Sequence, residues 1–107
     1  MAARPTAGVT EKKRLEATVH GRVQGVGFRW FVRSNAARLK LVGWVSNDPS
    51  GSVVVVAEGD DDAIDEMATE LRKGPPGAVV DGVDTAFPPP TGEFGSFAIR
   101  PGGHSGD

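Results

Sequence analysis

The chain has 107 residues, no cysteine and a formal net charge of −2. That length fits one domain with a modest core, the missing thiols exclude disulfides and thiolate chemistry, and the mild acidity argues against a general nucleic-acid binder. No apolar run reaches the ~20 residues of a membrane span, and the opening MAARPTAGVTEKKR lacks the apolar stretch of a secretory signal, so the expectation is a soluble, cytoplasmic monomer with no membrane partner.

Residues 1–13 are small, polar and charged, and are expected to form a disordered N-terminal segment ahead of one domain over residues 14–100. From Leu15 the pattern alternates. Leu15, Ala17 and Val19 share one face while Glu16, Thr18 and His20 share the other, the mark of a half-buried strand. A glycine-rich stretch follows, HGRVQGVGFR, and then a helix. Phe28, Phe31, Val32, Asn35, Ala36 and Leu39 recur at three- and four-residue spacing as its inner stripe, with Arg33, Arg38 and Lys40 on the wet side.

LVGWVSN (41–47) reads as a second strand, DPSG (48–51) as a hairpin turn and SVVVVAEG (52–59) as a third strand. The short link predicts antiparallel pairing of the last two strands. The apolar run of the third predicts cover on part of both faces. DDDAIDEMATELRKG (60–74) is a second helix, buried along Ile64, Met67, Ala68 and Leu71 and stopped by Gly74 and Pro75. Its opening aspartates are expected to satisfy free N–H groups at the positive end of the dipole. AVVDGVDTA (78–86) is a fourth strand, interrupted by Asp81 and Gly82; Pro88 to Pro90 forbid regular structure; SFAIR (96–100) is a candidate short edge strand. PGGHSGD (101–107) reads as a disordered tail. The order β-α-β-β-α-β predicts an α+β, ferredoxin-like fold, with two helices on one face of a mostly antiparallel sheet. Many unrelated functions use that fold, so the fold does not decide the function.

The charge distribution is more informative than its sum. From Ala17 to Asn47 there is no acidic residue, yet the span holds Arg22, Arg29, Arg33, Arg38 and Lys40. A locally positive region on an acidic protein suits a small anion, while a solvated helix face accounts for Arg33, Arg38 and Lys40. Gly21, Gly25 and Gly27 lie where the first strand ends and the first helix begins. One glycine serves a bend; three allow successive N–H groups to line a nest for an anion at a helix N-terminus. Arg29 in the first helical turn opposes the dipole and asks for a negative partner; an exposed arginine is the plainer alternative. The stretch is no nucleotide-binding P-loop, because Gly-Lys-Ser/Thr is absent.

GRVQGVGFR followed by GWVSNDPSGSVVVVAEG, then LRKGPPGAVVDGV and the late FAIR, resembles the acylphosphatase family over roughly residues 14–100. The resemblance implies hydrolysis of the carboxyl-phosphate anhydride of small acyl phosphates, with acyl phosphate and phosphate as the ligands and no metal or organic cofactor. It implies a phosphate cradle from the backbone of Arg22, Val23, Gln24, Gly25, Val26, Gly27 and Phe28, closed by Arg29 as the phosphate-binding arginine. Asn47, closing GWVSN, would hold the attacking water. An asparagine amide is a poor base, so a phosphate oxygen of the substrate is the expected proton acceptor.

Other candidates have cheaper explanations. His20 is expected at the surface and His104 in the tail, and two distant histidines make no metal site. Asp60, Asp61 and Asp62 are explained by capping, and Trp44 and the phenylalanines by core packing. Asn35 is expected to be a structural asparagine. Two further functions compete: a module like the acylphosphatase-type domain of larger hydrogenase-maturation proteins, and a ferredoxin-like binding module without catalysis. An RNA-binding version is disfavoured because LEATVHG and SVVVVAEG carry no aromatic residue.

Overall fold

A computed structural model describes residues 11–101. The elements are β1 (Lys12–Arg22), α1 (Phe28–Leu39), β2 (Val42–Asn47), β3 (Val53–Asp60), α2 (Asp61–Lys73), β4 (Val79–Ala86) and β5 (Phe97–Ile99). They form a five-stranded sheet in the order β4-β1-β3-β2-β5. All neighbours pair antiparallel except β2 and β5, which run parallel. The two helices pack on this mixed sheet, giving the expected ferredoxin-like α+β fold.

Period-two burial builds the inner face of the sheet. Leu15, Ala17 and Val19 of β1, Val53, Val55 and Ala57 of β3, and Val45 of β2 are all buried. Against them lie Phe28, Val32 and Ala36 of α1 and Ile64, Met67, Ala68 and Leu71 of α2. Each fully buried Val, Leu, Ile, Met or Phe among them contributes about 1.5–3 kcal/mol relative to exposure. The α1 stripe includes Asn35, whose Nδ2 donates to the Phe31 carbonyl at 3.0 Å and whose Oδ1 accepts from Arg38 at 2.7 Å. Asn35 is structural, as expected.

Three expectations need correction. β1 begins at Lys12, inside the segment read as disordered, because Lys12 and Lys13 pair with Asp60 and Gly59 of β3. Residues 1–10 and 102–107, including His104, lie outside the described residues. Asp60 stands at the N-cap of α2 without the expected side-chain cap bond, while Asp61 and Asp62 lie in the first turn, at the positive end of the dipole as expected. The Asp60 carboxylate takes Lys12 Nζ instead, and Lys13 Nζ sits 3.2 Å from Asp61 and 2.8 Å from Asp65. Opposite charge arriving from β1 competes successfully for these oxygens. Trp44 is not in the core. It lies on the other face of β2, half-buried, with the Arg100 guanidinium 4.3 Å from its ring centre.

The β4–β5 connection crosses from one edge of the sheet to the other, over the face without helices. It is fastened at Glu58, a buried carboxylate on β3. Glu58 accepts from the Thr91 N–H (2.9 Å), the Thr91 hydroxyl (3.0 Å), the Gly92 N–H (2.9 Å) and Arg14 Nη1 (2.6 Å). Burial pushes the Glu58 carboxyl up, but these four donors outweigh it and bring its pKa down to about 2. The three prolines before Thr91 keep this strap out of the ladder.

Candidate active site

β1 and β4 change register between His20 and Gly21. Gly21 has φ 127°, and a Cβ there would meet the Val79 carbonyl oxygen at 2.1 Å. Of the three clustered glycines, this one belongs to the bulge rather than to a cradle. Gly25 and Gly27, at φ 75° and 79°, turn the backbone of the loop, and a Cβ on either would meet nothing within 4 Å. Their requirement is conformational: both hold left-handed angles that side chains disfavour.

The other loop side chains are engaged elsewhere. Val23 and Phe28 are buried at the two ends of the loop, and Val26 packs against the core. Gln24 reaches across to the β2–β3 turn, where its Nε2 donates to the carbonyls of Asp48 (2.7 Å) and Ser52 (2.9 Å). Arg22 is the last, exposed residue of β1. What this loop presents is its main chain. The chain turns from Gln24 to Gly27, with Gly25 and Gly27 at positive φ. The loop runs into Gly27, the N-cap of α1, which offers no side chain to the helix terminus. The first turn of α1 carries no acidic residue either. A helix start without a capping carboxylate, fed by an arch of N–H groups, is a geometry that favours an anion.

Arg29 stands in that first turn. Its Nη1 lies 3.5 Å from the carbonyl oxygen of Arg100. The Arg100 N–H in turn donates to the Val45 carbonyl at 2.8 Å, two residues before Asn47 on β2. Asn47 itself is buried and shares the core-facing phase of Val45. It pairs with Val53, which pairs with Val19 of β1, so β3 lies between the strands that carry the loop and the asparagine. The sheet order therefore brings Asn47 to the same end of the molecule, and the same face, as the loop and the start of α1.

The remaining candidates fall elsewhere. His20 is exposed, and its Nε2 lies 2.8 Å from Asp84 Oδ2 on β4. Arg38 pairs with Glu66 of α2 at 2.8 Å, and Arg33 lies over the exposed ring of Trp30, so this basic face is a solvated one. Among the described residues, no three His, Asp or Glu side chains are grouped to hold a metal ion, and no helix is long and apolar enough to cross a membrane. Sequence reasoning missed the Gln24 side chain. Its only signal was one long amide in a loop otherwise built of glycine and valine.

The acylphosphatase family model matches residues 15–99. The acylphosphatase of Methylococcus capsulatus is 46% identical over 87 residues, which span 81% of this chain and 95% of that protein. The crystal structure of acylphosphatase from Bacillus subtilis superposes with a TM-score of 0.79 at 34% identity, covering 82% of this chain and 98% of that one. Full-length HypF, in a phosphate- and nucleotide-bound form, also superposes at 0.79 with 29% identity; the match takes in 92% of this chain but 13% of that chain. A family match across the whole sheet-and-helix unit, with relatives of nearly the same extent, makes the chain a member of the acylphosphatase family.

Proposed function

We propose that the chain hydrolyses the carboxyl-phosphate anhydride of small acyl phosphates to a carboxylate and inorganic phosphate. The backbone N–H groups of Val23, Gln24, Gly25, Val26, Gly27 and Phe28, next to Arg22, receive the phosphoryl group. Arg29 binds two of its oxygens. Asn47 orients the attacking water. The observation that carries this reading is the loop itself, which turns through left-handed Gly25 and Gly27 into the start of α1, where the N-cap has no side chain and the first turn no acidic residue.

The chemistry asks little more of a protein. Water attacks phosphorus, the bond from phosphorus to the acyl oxygen breaks, and the carboxylate leaves with the electron pair. A carboxylate is a good leaving group, so no acid is needed at that end. Transfer then depends on positioning and on stabilising charge spread over the phosphoryl oxygens. N–H groups fixed before the substrate arrives, with the Arg29 guanidinium, supply that stabilisation without reorganising. The water proton passes to a phosphoryl oxygen of the substrate, since the Asn47 amide does not take a proton near neutral pH. All parts of the site come from one chain, which goes with a monomer acting in the cytoplasm on a small molecule rather than on nucleic acid.

The test is hydrolysis of benzoyl phosphate by the purified chain in excess chelator. Loss of the anhydride well above the spontaneous rate is expected. A rate equal to that of buffer alone would sink the reading.

A further inference from the structure

The geometry points to the Gln24 side chain as a positioning residue for Asn47, a clasp that fixes the water half of the site against the phosphate half. The inference rests on the site reading above. Gln24 leaves the phosphate-side loop and spends its two amide hydrogens on two carbonyls of the β2–β3 turn, those of Asp48 and Ser52. The same two oxygens already hold the turn together: Asp48 N–H donates to Ser52 O at 2.8 Å, and Gly51 N–H to Asp48 O at 2.9 Å. A primary amide has two donor hydrogens and a carbonyl oxygen two lone pairs, so both donors of the Gln24 amide and both turn carbonyls are fully used in this contact.

The two carbonyls flank the residue that matters. Asp48 follows Asn47 directly, and Ser52 precedes Val53, the ladder partner of Asn47. The turn is stiffened locally as well. Asp48 Oδ2 accepts the Ser50 N–H at 2.9 Å, and Ser50 Oγ lies 3.0 Å from Ser52 Oγ. The Ser50 hydroxyl, then its N–H, hold the Asp48 carboxyl below its ordinary value. The turn therefore moves as one body, and Gln24 sets where that body sits relative to the loop. A reacting group displaced by about 1 Å loses on the order of a hundredfold in rate, so a clasp between the halves acts on turnover rather than on phosphate affinity.

The experiment is a double-mutant cycle of Gln24→Ala and Asn47→Ala in the full chain, with benzoyl phosphate as substrate and inorganic phosphate as competitive inhibitor. Gln24→Ala is expected to lower kcat about ten- to a hundredfold, the range for losing two such bonds. The phosphate inhibition constant should move less than about threefold, and the same substitution should cost under about twofold once Asn47 is alanine. Equal losses in both backgrounds overturn the proposal, as does a loss of phosphate affinity as large as the loss of kcat. Gln24→Glu separates donation from packing. It keeps the shape, removes both donors and sets a charge against two carbonyls, so its kcat should fall below that of Gln24→Ala; a near-wild-type rate overturns the clasp. Amide hydrogen exchange at Asp48 and Gly51 tests the clasp apart from turnover. Faster exchange in Gln24→Ala supports it, and if the wild-type chain leaves benzoyl phosphate intact, that result upholds the clasp while the site reading falls. Unchanged exchange overturns the clasp whatever the turnover.

Discussion

A guanidinium and an ammonium carry the same charge but not the same geometry, and that difference makes Arg29 testable by a conservative change. Arg29→Ala is expected to lower kcat/KM for benzoyl phosphate roughly 100- to 1,000-fold and to weaken inhibition by phosphate, as for loss of one preorganised donor to a transition state. Arg29→Lys should recover only a small part, because an ammonium does not grip two oxygens in a fork. Full recovery by lysine would show that charge alone suffices. Arg29 was legible in the sequence because a cation in a first helical turn is a local anomaly. The Gln24 side chain was not, since its partners come from a turn more than twenty positions away. Nothing in the residue's own neighbourhood says which carbonyls it will meet.

At the scale of elements, strand alternation and helical stripes were legible because burial follows periods of two and 3.6, visible within a short window. The Ile64, Met67, Ala68 and Leu71 stripe is buried as read. The bulge at Gly21 and the strap were not legible, because each depends on a distant element. Glu58 is buried under Thr91 and Gly92, residues more than thirty positions away. Its pKa carries a pH prediction. The carboxyl titrates near its ordinary value of 4.5 in the unfolded chain but at about 2 in the folded one. Between those values the unfolded state binds more protons, so stability rises with pH through this window. The contribution, about 3 kcal/mol, is complete above pH ~5 and is lost as pH falls toward 2. Glu58→Gln should therefore be less stable than wild type in urea unfolding at pH 7, with most of the gap gone by pH 2.5. Parallel loss of stability in both proteins down to that pH would remove Glu58 from the account.

The proposed site joins two parts that are separate in sequence. The loop and Arg29 occupy one β-α junction; Asn47 ends a strand that follows the helix. From the sequence alone, their proximity requires either a third strand between the first and second or a convergence of the strand ends. The order β4-β1-β3-β2-β5 supplies the third strand through the Val19–Val53–Asn47 row. Sheet order is set by the sum of packing across the molecule, which no single segment encodes. The division of labour between the halves is the central claim, and Asn47→Ala tests it most directly. Measured with benzoyl phosphate as substrate and inorganic phosphate as inhibitor, kcat should fall about a hundredfold or more while the phosphate inhibition constant stays near that of the wild type. A near-wild-type kcat in Asn47→Ala would contradict the account, because the water would then be held by something other than this asparagine.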